Sequence, residues 1–577
     1  MYRTAQLFLQ RYTRDDVNLA KVCILFRTLA ITLGGLHVIA AISSQSMNAD
    51  GISYLDIGDA YFRADWQNAI NPVWSPLYSW ILGLANVILR PSMEWEFPVV
   101  HIVNFFIYLF ALASFEFMWA RVRKTDSDPQ FHHIPKLLWW TLGYVLFIWA
   151  SLCLIQIWSV TPDMLMAGLV FLAAGLIAQI RAGNDNYRLF LGLGMILGLG
   201  YLSKTFVFSI APIFLCLVCL VQRRTWSAFR KTLLAASMFL LVCLPFILMI
   251  SKVKGEFTIG EAGTVTYVRH VVGIPSPHWQ GDPLLGIIPT HRSRVVHKSP
   301  PVYEFGEPIG GTYPISTDPS YWYEGIDVPV RWVNLLRSLS TSAFFYLDLF
   351  FQRQGVLLAC VLALYFMNWR MQLGISDILK RWTFVIPAII AFGLYGLVLV
   401  ANRYLGAWIL LFWADTLANI RLPKTRESKS WLNALIGIAA LGLLVNIILF
   451  NLDGFTRLNS SLQVAHRESA TAPARPLAVA ETLLELGVEP GDKVGVIGYA
   501  YDSFWARLAR VRIVAEMLDV DSDDFWRGDE ALRQSVLQTF AGTGAIVVVA
   551  EHVPGHVQLD DWYQVGESNY YVFLFDR

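Results

Sequence analysis

Apolar residues fall along this chain in blocks rather than in an even scatter, and most blocks are long enough to be read as one helix each. Crossing a bilayer takes about 20 predominantly apolar residues. Eleven segments reach or approach that length, at 19–42, 97–119, 137–157, 163–180, 189–203, 205–222, 232–251, 353–369, 382–400, 405–420 and 431–451. The fifth and sixth are short, which predicts spans with little tilt or helices that dip beside other protein. Another apolar stretch, YSWILGLANVIL from Tyr78 to Leu89, is too short to cross and lies between Pro76 and Pro91. It predicts a helix at the membrane interface.

The polar connections alternate in charge. One set carries Arg11, Arg14 and Lys21, then Arg121, Arg123 and Lys124, then Arg223, Arg224 and Arg230, and continues in this way to Lys424, Arg426 and Lys429. The short connections between them, at 158–162, 203–204 and 401–404, hold only Lys204 and Arg403. The positive-inside rule assigns the first set to the cytoplasm. The N-terminus is then inside, and the first span serves as targeting signal in place of a cleavable signal peptide. Two long loops, 43–96 and 252–340, and everything after 452 lie outside. The loop 252–340 holds ten of the 25 prolines and is dense in aromatics, so it predicts an ordered, functional loop. Within it, 331–351 is amphipathic and predicts a helix along the surface.

From about 475 the pattern changes to apolar runs of strand length alternating with helical stretches. ARPLAVAETLLELG, DSFWARLARV and ALRQSVLQTFAG predict helices; KVGVIG, RIVAEM, AIVVVAE and YYVFLF predict strands. The expected organisation is a membrane module over 1–451, a linker over 452–474 and an extracytoplasmic α/β domain over 475–577. GVIGYAYDSF lacks the GxGxxG spacing, which argues against dinucleotide binding.

Composition agrees with a polytopic α-helical membrane protein. Of the 577 residues 55% are hydrophobic and 15% charged, and the mean hydropathy is +0.48; soluble domains carry about 25% charged residues. A net charge of +1 gives no reason to expect nucleic acid. All six cysteines lie in apolar runs, where they read as small core residues. Cys216 and Cys219 have metal-ligand spacing but no second pair.

Ionisable residues at the outer face are few, and charges near membrane depth are candidates for function. Asp50 follows the first span, and Asp163 opens the fourth. Lys204, between Ser203 and Thr205, precedes a helix N-terminus where anions are favoured. Arg403 can grip phosphate with two parallel N–H groups. Asp50 and Asp163 are the candidate catalytic carboxylates, and Lys204 and Arg403 the candidate phosphate ligands. Tyr54 and Asp59 in the first outer loop, with His270, His278 and Trp279 in the second, are candidates to contact a sugar or an acceptor. The histidine spacing matches no zinc pattern. The sequence names no cofactor and leaves a divalent metal, magnesium or manganese, open. A base beside fixed cations is the apparatus for group transfer from a lipid phosphate.

Several of these motifs occur together in one family. Asp50 with Tyr54, WSPLY at 74–78, TPDMLM at 161–166, GLGYLSKTF at 198–206 and NRY at 402–404 resemble the GT-C superfamily of membrane glycosyltransferases. Within it, the branch of protein O-mannosyltransferases and lipid A aminoarabinose transferases is the most similar. The resemblance covers about 1–420. It implies an inverting hexosyl- or pentosyltransferase of the cell envelope, in a bacterial inner membrane, with a polyprenyl-phosphate sugar as donor and a protein, lipid or glycan as acceptor. It also implies Asp50 as base and phosphate roles for Lys204 and Arg403. WSPLY has Ser75 where the family often has a second proline, and no lysine stands just before it. Aminoarabinose and lipid A are therefore not carried over as the substrate pair. Two other classes compete: a flippase of lipid-linked sugars, which inverted repeats and midplane charges would mark, and a lipid-diphosphate-dependent glycan polymerase or ligase, which an arginine-rich outer loop would mark.

Overall fold

Each of the eleven apolar segments forms a helix in the computed structural model, which describes residues 14–123, 131–222, 226–274, 278, 280–281, 293–305, 310–318, 321, 330–367, 383–466, 476–555, 557 and 561–575. Among the described residues six helices are long and apolar enough to cross a membrane: Val17–Ser43, Met93–Val122, Lys136–Ile155, Asp163–Arg181, Trp226–Lys254 and Arg426–Leu452. A seventh span results if Trp332–Arg353 and Gly355–Phe366, bent by 81° at their junction, count as one. Tyr187–Ser203, Phe206–Val221 and Val385–Val398 are shorter apolar helices. The chain is thus a multi-pass membrane protein. Leu241, Leu248, Leu441 and Leu449 are among the many apolar side chains left exposed on the bundle, as a lipid-facing surface requires.

The loop 43–96 folds into helices at Ala49–Phe62, Trp66–Ala69 and Pro76–Leu89. Pro76 occupies the first helical position, where its missing N–H costs nothing. Pro76–Leu89 crosses Ala49–Phe62 at two glycines. A Cβ on Gly58 would stand 2.7 Å from the Ser79 carbonyl oxygen, and one on Gly83 would stand 2.8 Å from the Gly58 carbonyl oxygen. Bare backbone on both helices allows that approach. Leu84, Val87, Ile88 and Leu89 remain exposed on the far side.

Residues 476–575 fold around a sheet, but that sheet is not theirs alone. We number its strands β1 (Arg294–Lys298), β2 (Pro301–Glu304), β3 (Lys493–Gly498), β4 (Arg512–Leu518), β5 (Val547–Ala550), β6 (Tyr563–Gln564) and β7 (Tyr571–Leu574). Their order is β1-β2-β4-β3-β5-β7-β6. β3 runs parallel to β4 and β5, and its apolar run without alternation suits a strand covered on both faces. The loop 252–340 contributes the β1–β2 hairpin, which joins β4 antiparallel with Tyr303 opposite Glu516. The expected separate 475–577 domain therefore shares its sheet with the loop. The cause is the open edge of β4, whose backbone groups need partners. Ile513 N–H, for example, donates to the Thr312 carbonyl at 3.0 Å.

Buried polar groups fasten loop to sheet. Glu516 on β4 accepts from Tyr313 Oη at 2.6 Å and from Ala500 N at 3.1 Å, and it pairs with His278 Nε2 at 3.0 Å. Glu551, just after β5, accepts from Ser503 Oγ at 2.6 Å and Trp505 Nε1 at 3.0 Å. Short helices at Phe504–Leu508 and Asp519–Arg527 complete the unit, beside the longer Pro476–Glu485 and Glu530–Gly542.

This unit is bolted to the membrane module by Arg507. Its side chain is 4% exposed and meets three carboxylates of the module: Asp56 at 2.7 Å, Asp59 at 2.7 Å and Glu96 at 2.6 Å. Arg510 adds contacts to Asp59 at 2.8 Å and Glu96 at 3.0 Å. Burial alone would raise the Asp59 carboxyl, but Arg507 and Arg510, with Arg63 behind them, outweigh it and hold the group below its ordinary range. The stability contributed by that depression is present above the unfolded pKa, about 4, and is lost as pH falls through the lower folded value. Removing one partner of a buried ion network leaves uncompensated charge and costs about 3–5 kcal/mol. Arg507→Gln should destabilise the purified protein by that order at neutral pH. The gap to wild type should narrow on acidification, read from thermal melts across a pH series. A gap that stays constant with pH would sink the electrostatic account.

Candidate functional site

Asn48 sets the position of Asp50. It stands at the N-terminus of helix Ala49–Phe62, and its side chain grips the loop before the fourth apolar segment: Oδ1 accepts from Val160 N at 2.9 Å, and Nδ2 donates to Val160 O at 3.4 Å. Gly51 permits the contact, since a Cβ there would lie 2.8 Å from Val160 Cβ. The loop then turns at Pro162, and Asp163 takes the first position of helix Asp163–Arg181, where a carboxylate suits the helix dipole.

Lys204 sits in the break between helices Tyr187–Ser203 and Phe206–Val221, its backbone extended at φ −156°. The orphan N–H of Thr205, next in the chain, donates to Ser75 Oγ at 3.1 Å. A proline at 75 could not accept it, so the serine of WSPLY has a physical role here. Arg403 and Tyr404 open helix Asn402–Ala418.

These elements bring the four candidate ionisable residues into one chain of alternating charge. Asp50 Oδ2 lies 2.8 Å from Arg403 Nη2, Arg403 Nε lies 3.8 Å from Asp163 Oδ2, and Asp163 Oδ1 lies 2.5 Å from Lys204 Nζ. Lys204 Nζ also rests 3.8 Å above the Tyr404 ring. Tyr404 stacks on Tyr395, and Tyr395 on Phe206 at 4.0 Å, so the ions sit on an aromatic floor.

Exposure separates the two carboxylates. The Asp163 side chain is 1% exposed with each oxygen turned to a cation, whereas Asp50 is 35% exposed. Asp50 can meet a substrate proton. Asp163 holds Lys204 and Arg403 in register, and both cationic side chains stay partly exposed, at 19% and 30%. Tyr54, one turn beyond Asp50, is buried edge-on against Trp74 and Tyr78. Burial first, then the charges of Asp50 and Asp163, push its phenol far above the usual value, so it stays protonated.

The remaining expected contact residues lie elsewhere. Asp59 belongs to the Arg507 network. His278 is buried between Ser293 and Glu516, stacked on Tyr303 at 4.1 Å, and pins the loop to the sheet. His270 is exposed on the short helical segment Val268–Val272, with no polar contact to the ion chain among the described residues. Trp279 lies outside the described residues. Among the described residues no group of three or more histidines, cysteines or carboxylates is placed to hold a metal ion. The Arg403 guanidinium lies between Asp50 and Asp163, where a cation bridging them would have to go. Asn48, Gly51, Ser75 and Tyr404 are site residues to which sequence reasoning assigns no role. Ser75 leaves a signal there as the departure from a second proline, and Tyr404 as part of NRY.

No protein-family model matches the chain, and no curated protein sequence matches it. Solved structures do. ArnT from Cupriavidus metallidurans bound to undecaprenyl phosphate is similar with a TM-score of 0.50 at 11% identity, over 94% of this chain and 97% of that one. The apo state of that protein gives 0.48 at 12% identity, over 95% and 97%. The oligosaccharyltransferase AglB from Archaeoglobus fulgidus, in complex with an inhibitory peptide and a dolichol-phosphate, gives 0.43 at 12% identity, over 91% and 69%. At such identity the likeness to ArnT shows the fold alone, and that fold agrees with the architecture that the sequence motifs implied.

Proposed function

We propose that the protein is an inverting glycosyltransferase that moves a hexosyl or pentosyl group from a polyprenyl-phosphate donor to an acceptor at the outer face of the membrane. One observation carries the reading. On a GT-C fold, an accessible carboxylate stands in line with two cations that a buried second carboxylate fixes in place. ArnT from Cupriavidus metallidurans, similar in architecture, binds undecaprenyl phosphate, which supports a polyprenyl phosphate as the carrier.

In this mechanism Asp50 takes the proton of the acceptor hydroxyl. The oxygen lone pair forms the new bond to the anomeric carbon as the bond from that carbon to the phosphate oxygen breaks. The electron pair leaves with the polyprenyl phosphate. Attack from the face opposite the leaving group inverts the anomeric centre. The charge growing on the phosphate is met by Lys204 and Arg403, whose positions are set before the substrate arrives. Tyr54 remains a hydroxyl donor beside the base. The isoprenoid tail stays in the bilayer, which explains why the ion chain lies where apolar segments end.

The orientation belongs to the same proposal. The lysine and arginine distribution supports a cytoplasmic N-terminus with the ion chain and residues 475–577 outside, and the family resemblance supports a bacterial inner membrane as the location.

Asp50→Asn can still occupy the first turn of its helix but cannot accept a proton. With the purified protein and a panel of polyprenyl-phosphate sugars, its release of polyprenyl phosphate should fall by about 10²–10⁴-fold, with donor binding retained. Normal turnover would remove Asp50 as base. If Asp163→Asn alone collapsed turnover at unchanged donor affinity, the base would be Asp163.

Lys204→Ala removes a charge-assisted contact of the kind worth about 1.5–3 kcal/mol. Donor affinity should weaken by roughly tenfold or more, and unchanged donor kinetics would take Lys204 out of phosphate binding. For orientation, Glu567→Cys should react with a membrane-impermeant thiol reagent in intact spheroplasts, against the parent protein as background. Reaction only after lysis would place the site on the wrong side of the membrane.

A further inference from the structure

Where the membrane module meets the C-terminal unit, a cleft of about 460 Å³ opens over the Arg507 network. That volume is within the range of small-molecule sites, roughly 300–1,000 Å³. Four separate stretches of chain build it: the far end of helix Ala49–Phe62 with the residues after it, the Gly311–Thr312 turn of the second outer loop, residues 490–491, and residues 507–512. The lining holds no aromatic ring, which is unlike the usual pocket for an apolar ligand.

The hydrogen-bonding inventory of the walls is lopsided. Asp56 is already committed: Oδ1 accepts from Arg507 and Thr312 Oγ1, and Oδ2 from Thr312 N at 2.7 Å. Asp59 Oδ2 accepts from both Arg507 and Arg510. Asp65 caps its own short helix through Asn68. Two further guanidiniums line the cleft, Arg63 and Arg512; neither forms a hydrogen bond or close ion pair among the described residues, although Arg63 acts on the Asp59 carboxylate from a distance. Both are exposed, and Arg510 beside them is 39% exposed. Each arginine carries five N–H donors and no acceptor. Unengaged donors therefore outnumber unengaged acceptors, over a floor kept rigid by buried ion pairs. The ligand that fits supplies oxyanions for the guanidiniums and hydroxyls for the polar walls.

We propose that this cleft is a binding site for an acidic saccharide, its carboxylate or phosphate groups held by Arg63 and Arg512. Asp59 stands nine residues after Asp50 on one helix, which at about 1.5 Å per residue separates the two by roughly 13 Å. The site is thus distinct from the ion chain but aligned with it along Ala49–Phe62. Identifying this saccharide as the acceptor rests on the transferase reading; its binding does not.

The test is calorimetric titration of the full-length protein in detergent with a galacturonate trimer, maltotriose and inorganic phosphate. The acidic trimer should bind and the neutral one should not. Arg63→Ala/Arg512→Ala should weaken the trimer by about tenfold or more, as expected for lost charge-assisted contacts. Arg533→Ala, an arginine of the same unit outside the cleft, should bind as wild type does. Thermal melts of each variant establish that it is folded. Equal affinity for maltotriose, no binding of the acidic trimer, or a trimer affinity untouched by the double substitution would overturn the site. Inorganic phosphate binding as tightly as the trimer would overturn the assignment to a saccharide. Since the readout is binding, failure of donor transfer leaves the result standing, and failure here leaves the transferase reading standing.

Discussion

A carboxylate at 1% exposure next to a lipid-facing bundle has to be paired, and Asp163 is paired twice. Its two cations come from different parts of the chain: Lys204 from a helix break, and Arg403 from the start of a late apolar helix. Burying one ion of such a set without the others would cost several kcal/mol, so the three segments that carry them must close together. Arg403 then reaches Asp50 with a guanidinium nitrogen not used on Asp163. The first outer loop is drawn into the same assembly, although Asp50 itself is accessible enough to do without a partner.

Much of this could be read in advance because each of the four residues stands at the end of an apolar run. Hydrophobicity locates such ends to within a few residues, and an ionisable group there is conspicuous against its surroundings. The membrane helices were legible for the same reason. What the sequence concealed is pairing over long separations. Glu96 and Arg507 are 411 residues apart, and each looks alone like an ordinary surface charge. The β1–β2 hairpin was hidden differently. RVVHKSPPVYE is short, half-exposed and interrupted by prolines, so its strand character depends on the open edge of β4 rather than on periodicity of its own. His278 and Asp59 stood out because they are polar and lie near motifs, yet burial gave both of them partners in the framework instead.

Helix Ala49–Phe62 is what ties the two ion systems together. Its first turn carries Asp50 into the alternating chain, and its later turns carry Asp56 and Asp59 into the Arg507 network. Gly51 and Gly58 let it lie close against the Val160 loop and helix Pro76–Leu89, so packing fixes it laterally while ion pairs fix it at both ends. A helix of 14 residues held this way has little freedom to rotate or slide. A rotation large enough to turn Asp50 away from Arg403 would have to drag buried carboxylates off Arg507.

The C-terminal unit therefore shapes the ion chain without contributing a charged side chain to it among the described residues. Its sheet takes in the second outer loop through β1 and β2, and Glu516 locks that loop through His278 and Tyr313. The loop in turn places Thr312 on Asp56. A continuous path of buried hydrogen bonds and ion pairs thus runs from β4 through the loop to the helix that bears Asp50. In a bundle with a largely apolar surface, this polar path gives the ion chain a fixed geometry that apolar packing alone would not specify. That is the physical reason for a soluble-looking α/β unit to be built into a membrane module rather than tethered beside it.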